Sequence, residues 1–401
     1  MPKNTSSNSK PPVSKTGAQA GSVGRVGRVQ TRLFHEKGRP FRMRCGATLN
    51  GFTLAYETYG KLDASRSNAI LVFHAMTGSQ HAAGINTDVP GLDGRWTDEM
   101  HVGWWDDFIG PGKALDTRKF FVICANYLGG CYGSTGPASK RGRGRWGADF
   151  PVIRVADIVD SQIRLLDHLR IHVLHAAIGA SIGGYLCLSL ATRHPDRVKI
   201  VIPMAVGPET TVLQRLMNFE QITAIELDPA FHGGSYDPKF PPHDGLAAAR
   251  RIAHKTFVSL EDLHDRARGE VSYHGTPPFG WYEMNHPVES YLLHQGQKFV
   301  SRFDANTYLR ILDAWQWFDL PQEAGADGFE DLFSRCKAQR FLVFSIDSDA
   351  SFPPVEQGHL VKMLEAAEVP VTWITVHSGK GHDSFLLEPD LFAPHITQIL
   401  G

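Results

Sequence analysis

The chain has 401 residues, of which 42% are hydrophobic and 21% charged, and its formal net charge is −1. The length exceeds one typical domain, and the composition suits a globular protein with a real apolar core. The near-zero charge gives no global attraction to nucleic acid or a membrane surface, and no apolar run is long enough to span a bilayer.

Residues 1–29 are rich in Ser, Gly, Lys, Pro and Asn and contain no acidic residue. They predict a flexible tail, without the apolar stretch of a secretory signal. Two strand-like runs follow between Val29 and Tyr59. Ala69–Phe73 is continuously apolar, as a strand buried on both faces must be. It leads into His74-Ala75-Met76-Thr77-Gly78, where His74 is expected to orient the loop. Residues 80–118 form a long loop rich in Gly and Trp, of the kind that packs across a site mouth. Lys119–Cys124 is the next buried strand. The Gly-rich stretch Asn126–Pro137 after it lacks the Gly-Lys-Ser/Thr of a phosphate-binding loop. Lys140–Arg145 carries four basic residues in six positions. It reads as a solvated loop or as a phosphate contact on a coenzyme A tail.

Val155–Leu169 has apolar residues at helical spacing. An apolar run from Ile171 to Ile178 then enters Gly179-Ala180-Ser181-Ile182-Gly183-Gly184, and a helix-like run, Tyr185–His194, leaves it. Strand, tight Gly-x-Ser-x-Gly turn and helix form the pattern that exposes a nucleophilic serine at the edge of a sheet. Val198–Val206 is a further buried strand. The alternation then stops. From Gly207 to about Leu320 there are helical runs, at Leu213–Leu227, Gly245–Leu263 and Val288–Phe318, the last broken near Asp304. Tyr273, Phe279, Trp281, Tyr282, Trp315 and Trp317 are candidates to line an apolar pocket there. Strands resume at Arg340–Ile346 and Val371–Val376, with helices at Val355–Ala367 and Phe392–Leu400. The expected organisation is a tail (1–29), a mostly parallel α/β core flanked by helices (30–206 and 321–401) and a helical cap (207–320).

A serine turn becomes a catalytic claim only with an acid and a histidine behind it, in the order Ser, Asp/Glu, His. Asp347 and Asp349 follow the strand ending at Ile346. His377 and His382 follow the strand ending at Val376. All lie at the strand-end edge where ligands gather in open α/β sheets. His382 would take the Ser181 proton, and an acid would fix its tautomer. The backbone N–H groups of Ile182 and Met76 would hold the oxyanion. Asp349 lies deeper in its loop, before Pro353-Pro354, and residue pattern alone leaves Asp347 open as its rival. His377 borders its strand, whereas Gly381 suits a tight loop tip before His382. No H-E-x-x-H or similar spacing suggests a metal site. The five cysteines, Cys45, Cys124, Cys131, Cys187 and Cys336, are scattered and odd in number. They read as free thiols in a reducing, cytoplasmic setting.

From about residue 50 to residue 390 the chain resembles the homoserine O-acetyltransferase family of α/β hydrolases. The resemblance rests on Gly103-Trp-Trp-Asp, Ile109-Gly-Pro-Gly-Lys, Asn126 with Leu128–Ser139, and Asp228-Pro with Phe231-His-Gly-Gly234. Arg302-Phe-Asp-Ala-Asn306, Asp349 with Phe352-Pro-Pro354, and Gly381-His-Asp383 extend it. It implies an α/β-hydrolase fold with a helical cap, a homodimer, and nucleophile, acid and base at Ser181, Asp349 and His382. The chain departs from the family at Ala180, Ile182 and Ala156. It also departs at Ile222, where counting back from Asp228-Pro229 places the arginine thought to grip an amino-acid carboxylate. An apolar side chain cannot pair with a carboxylate. The expectation is therefore a serine-dependent carboxylic-ester hydrolase, like ester-hydrolysing relatives of this framework. It would act on small acetate esters through an acyl-serine, with no cofactor. Arg215 is one basic residue that could replace the missing arginine. The alternative is an acetyl-CoA-dependent homoserine or serine O-acetyltransferase, with acetyl-CoA as co-substrate only in that case. A non-enzymatic scaffold is a third reading, and the full Ser-Asp-His set argues against it.

Overall fold

The computed structural model describes residues 24–92, 94–269, 275 and 279–401. Most of the expected tail, and Tyr273, lie outside the described residues. Eight strands form one sheet: β1 (Arg32–Arg42), β2 (Thr48–Tyr59), β3 (Ala69–Phe73), β4 (Phe121–Ala125), β5 (Leu174–Ala180), β6 (Val198–Met204), β7 (Arg340–Ile346) and β8 (Val371–Val376). Their order in space is β1-β2-β4-β3-β5-β6-β7-β8. β2 runs antiparallel to both of its neighbours, and every pairing from β4 to β8 is parallel.

Residue type follows position in this sheet. Every residue of β3 is buried, and β5 and β6 are buried nearly throughout. They read as unbroken apolar runs because helices cover both faces. The outer strands β1 and β8 leave most of their residues partly or fully exposed. Two large apolar clusters form, one on each face of the sheet. Four of the five cysteines are buried within the protein and Cys45 is exposed; all five are free.

The helices are α1 (Val155–His168), α2 (Ile182–Arg193), α3 (Val212–Glu226), α4 (His243–Phe257), α5 (Leu260–Gly269), α6 (Pro287–Val300) and α7 (Ala305–Gln316), with shorter helices and two further long ones near the C-terminus. α3 to α7 all lie between β6 and β7. The expected run Gly245–Leu263 is in fact two helices. Val258 takes an extended conformation that ends α4. The Ser259 Oγ then accepts the Asp262 N–H at 3.1 Å, a helix N-cap in the sequence Ser259-Leu-Glu-Asp262. The break near Asp304 has the same cause, since the Asp304 carboxylate accepts the Thr307 N–H at 2.9 Å. Among the described residues, no helix is long and apolar enough to cross a membrane.

One buried carboxylate ties the long loop 80–118 to the sheet. Glu57 on β2 is fully buried. It accepts hydrogen bonds from the Thr31 hydroxyl (2.8 Å), the Tyr59 hydroxyl (2.9 Å) and the Asn86 amide (2.8 Å), and pairs with His81 Nδ1 at 2.8 Å. His81 Nε2 faces the His101 carbonyl at 3.2 Å. A buried charge is tolerable only when so fully partnered. This knot holds the start of the loop at His81 and Asn86 and its middle at His101, just before Trp104 and Trp105.

Between β5 and α2 there is a single residue, Ser181, at φ 58° and ψ −131°. That backbone is strained for any residue with a Cβ. The turn closes because the chain segments around it approach very closely. A Cβ on Gly183 would lie 2.5 Å from the Phe73 carbonyl oxygen, and one on Gly179 2.5 Å from that of Gly183. Gly183→Ala must push α2 off β3 and should destabilise the protein by about 1–3 kcal/mol. Thermal or denaturant unfolding measures this, and a variant as stable as the parent would contradict the packing described.

Candidate active site

The loops after β3, β5 and β8 converge with α4, α7 and the link between α6 and α7 on one cavity of about 190 Å³. Ser181 opens into it from the elbow, and His382 and Asp383 open into it from the loop after β8. Met76 lines it from the loop after β3. Ile182 heads α2, where first-turn N–H groups have no acceptor within the helix.

The structure separates the two acids and the two histidines into two pairs. Asp349 is buried, and its Oδ2 pairs with His382 Nδ1 at 2.6 Å. Its Oδ1 accepts the Ser351 and Phe352 N–H groups, each at 2.8 Å. Asp347 pairs instead with His377 at 2.9 Å, and both are well exposed. That outer pair has a structural consequence. Asp347 also accepts the Ser378 N–H, and the neighbouring Ser348 Oγ accepts the Gly381 N–H at 3.1 Å, so the loop after β7 holds the loop after β8.

The His382 ring is clamped between Phe352, stacked at 5.1 Å, and the edge of Phe385 at 5.2 Å. Its Nε2 is buried and has no hydrogen-bond partner among the described residues, although it shares the cavity with Ser181. Serine–histidine hydrogen bonds of this kind are often long without substrate and tighten when it binds. Burial alone would lower the His382 pKa. The Asp349 charge and its hydrogen bond outweigh burial, and the value is raised. His74 behaves differently. It is buried, stacks on Tyr127 and turns its Nδ1 to the Ala75 carbonyl, and burial brings its pKa down to about 4. It shapes the loop as a neutral ring.

Two charged groups in the cavity were not singled out from the sequence. Arg250 on α4 is enclosed by the rings of Phe257 and Phe299, at 5.4 and 5.1 Å. It has no ion pair with a carboxylate among the described residues, and burial lowers its pKa. Asp383 lies beside His382, and burial raises its pKa while His382, Arg250 and Arg266 oppose the rise. The signals were present. Arg250-Arg251 interrupts an apolar helical run, and Asp383 ends the quoted Gly-His-Asp. The expectation at Ile222 fails for a geometric reason. Ile222 sits on α3 and packs on the core, while the cations that line the cavity, Arg250 and Arg302, come from α4 and from the segment before α7. Arg215 turns away to the Gln316 carbonyl.

Of the expected aromatic liners, Trp315 faces the cavity. Phe279, Trp281, Tyr282 and Trp317 are exposed. Trp104, Phe257 and Phe385 complete the apolar wall instead. Lys140–Arg141 and Gly144–Arg145 form a small hairpin, mostly exposed and away from this cavity. Among the described residues, no group of three or more His, Cys, Asp or Glu is placed to hold a metal ion.

The His382 shift has a direct check. Asp349→Asn removes the countercharge and leaves burial in place, so the imidazole pKa should fall below its ordinary 6.5. NMR titration of the ring proton reads this, and an unshifted value would contradict the pairing.

Comparison with known proteins adds an independent line. Residues 68–372 match the family model described as alpha/beta hydrolase fold. A homoserine O-succinyltransferase of Azoarcus sp. (strain BH72) is 43% identical over 370 residues, 92% of this chain and 94% of that one. A homoserine O-acetyltransferase of Mesorhizobium japonicum is 41% identical over 359 residues, 88% of this chain and 89% of that one. Among solved structures, esterase E22 superposes with a TM-score of 0.82 at 25% identity, covering 93% of this chain and all of that one. The homoserine O-acetyltransferase from Bacillus anthracis gives 0.81 at 26%, covering 93% and 98%. These findings overturn the expected carboxylic-ester hydrolase. The two curated relatives named above are homoserine O-acyltransferases. The chain belongs to the homoserine O-acyltransferase family of α/β hydrolases.

Proposed function

We propose that the protein transfers an acyl group from a coenzyme A thioester to the side-chain hydroxyl of homoserine. The observation that carries this is that Arg250 and Asp383 both line the cavity that holds Ser181 and His382. A buried guanidinium flanked by aromatic faces and without an ion pair gains most from an arriving carboxylate, through charge-assisted and bidentate hydrogen bonds. Asp383 supplies the matching acceptor for an ammonium. A free amino acid with a hydroxyl side chain offers all three groups. A neutral ester would leave Arg250 unpaired.

The chemistry runs in two halves. Ser181 Oγ attacks the thioester carbonyl while His382 Nε2 takes its proton. The N–H groups of Ile182 and Met76 hold the oxyanion, and Asp349 keeps His382 in the tautomer with Nε2 free. The C–S bond breaks, and His382 returns the proton to the departing thiolate. The homoserine hydroxyl then attacks the acyl-serine and gives its proton to His382. Ser181 leaves with that proton, and the ester of homoserine is released. The raised pKa of His382 sets the acid limb of activity. The ring must be neutral to act as base, so kcat/KM should fall as pH drops through a value above 6.5.

Purified protein given an acyl-CoA should release coenzyme A in step with added homoserine, and Ser181→Ala should abolish the release. Homoserine-independent turnover, or turnover retained by that variant, would reject the mechanism. Arg250→Leu should raise KM for homoserine about 30-fold or more, since truncating one side of a buried charge pair costs about 2–5 kcal/mol. An unchanged KM would remove Arg250 from the acceptor site.

A further inference from the structure

Hydrogen bonds in the turn after β3 run in one line from a mostly buried cation to the acyl site. Arg302 Nη1 donates to the Thr77 carbonyl at 3.2 Å. The N–H of that same peptide group, on Gly78, donates to the Ala75 carbonyl at 3.0 Å. The N–H of the Ala75 peptide group belongs to Met76, and among the described residues it donates to no protein acceptor. We propose that Arg302 is a positioning residue for acyl transfer. Through the Thr77–Gly78 and Ala75–Met76 peptide groups it aims and polarises the Met76 N–H at the oxyanion. This rests on the acyl-serine step of the mechanism above and not on the identity of the acceptor.

In a trans peptide group the C=O and the N–H point in opposite directions. A donor that captures the carbonyl therefore fixes where the N–H points. Two donors capture the Ala75 carbonyl: the Gly78 N–H, and His74 Nδ1 at 2.7 Å. The Met76 N–H is thereby turned away from both of them, on a turn that lines the cavity of Ser181. Arg302 fixes the Thr77–Gly78 group in the same way. The two peptide dipoles then lie head to tail, with a positive charge at the far end. Hydrogen bonds in such a chain strengthen one another. Gly78 permits the line, because a Cβ there would lie 2.9 Å from the His74 Cβ.

Arg302 is itself held in place from several sides. Its Nε pairs with Glu99 at 3.1 Å, and its Nη1 also donates to the Tyr132 hydroxyl at 3.0 Å. That hydroxyl donates in turn to the Arg302 carbonyl at 3.0 Å. The guanidinium lies against the Phe299 ring at 5.1 Å. Glu99 is shared with Lys298, at 2.5 Å, so its charge does not belong to Arg302 alone. Tyr132 lines neither the cavity of Ser181 nor the smaller one beside it, and its hydroxyl reaches the site through Arg302. The oxyanion exists only once the acyl carbonyl is attacked. An arrangement aimed at it raises kcat and leaves substrate binding alone.

The test follows acylation of Ser181 by the burst of p-nitrophenol from p-nitrophenyl acetate, and full turnover by coenzyme A release from an acyl-CoA with homoserine. Arg302→Met should lower the burst rate and kcat by about tenfold or more, and leave both KM values within about twofold. Tyr132→Phe removes one oxygen atom. It should lower the burst rate and kcat by about threefold or more in the parent and add nothing in the Arg302→Met background, since the two act as one unit. Unchanged rates in Tyr132→Phe overturn the proposal, whether or not Arg302→Met folds. So does an Arg302→Met loss confined to KM, or a Tyr132→Phe loss of equal size in both backgrounds, which a general loosening of the fold would give. A parent that shows the burst but ignores homoserine rejects the homoserine reading, and the burst rates of the variants then decide this proposal. A parent with neither burst nor release rejects both.

Discussion

Everything at the site depends on forcing one residue, Ser181, into a backbone conformation that costs about 1–3 kcal/mol. The strain persists because the surroundings leave no alternative. β5 and α2 are almost wholly buried, and the Ser181 N–H is bound to the Met204 carbonyl on β6 at 3.1 Å. Glycines stand where β5, α2 and β3 would otherwise collide. With the serine fixed at the tip, the loops after β3, β7 and β8 reach it from the same sheet edge. The order of strands in the sheet is therefore the order in which chemistry is delivered.

Much of this was legible in the sequence. Buried strands of a parallel sheet read as continuous apolar runs, and β3, β6 and β7 fall at or close to the expected residues, as does the more exposed edge strand β8. The Gly-x-Ser-x-Gly turn located the elbow, because close approach demands small residues at fixed spacing. The choice between Asp349 and Asp347 was not legible from residue pattern alone. Both lie in one loop, and what separates them is the direction of each side chain. Asp349 turns inward onto the N–H groups of Ser351 and Phe352, and Asp347 turns outward to His377. The family resemblance favoured Asp349 for reasons the residues themselves did not display.

The acceptor side failed for a different reason. Counting along α3 from Asp228-Pro229 located a position, Ile222, but position along one helix says nothing about a neighbouring helix. Arg250 reaches the cavity through the way α4 packs between α3 and α6, and its sequence surroundings resemble any amphipathic helix. Phe257 and Phe299, its aromatic partners, lie on α4 and α6. No local pattern records such a meeting. The same holds for Glu57, whose partners come from residues 31, 59, 81 and 86.

The loop after β8 is fastened on two sides. The Asp347–His377 pair and Ser348 join it to the sheet, while Lys380 pairs with Asp262 on α5 and the Gly379 carbonyl accepts the Ser259 hydroxyl. A Cβ on Gly381 would meet the Ser259 N at 2.5 Å. His382 is thus registered against the helices that carry Arg250 as well as against the strand that precedes it. The helical segment and the sheet are in this sense not separable inheritances. A lineage that exchanged the segment for another would have to re-solve the fit at Gly381 before any new acceptor could be selected.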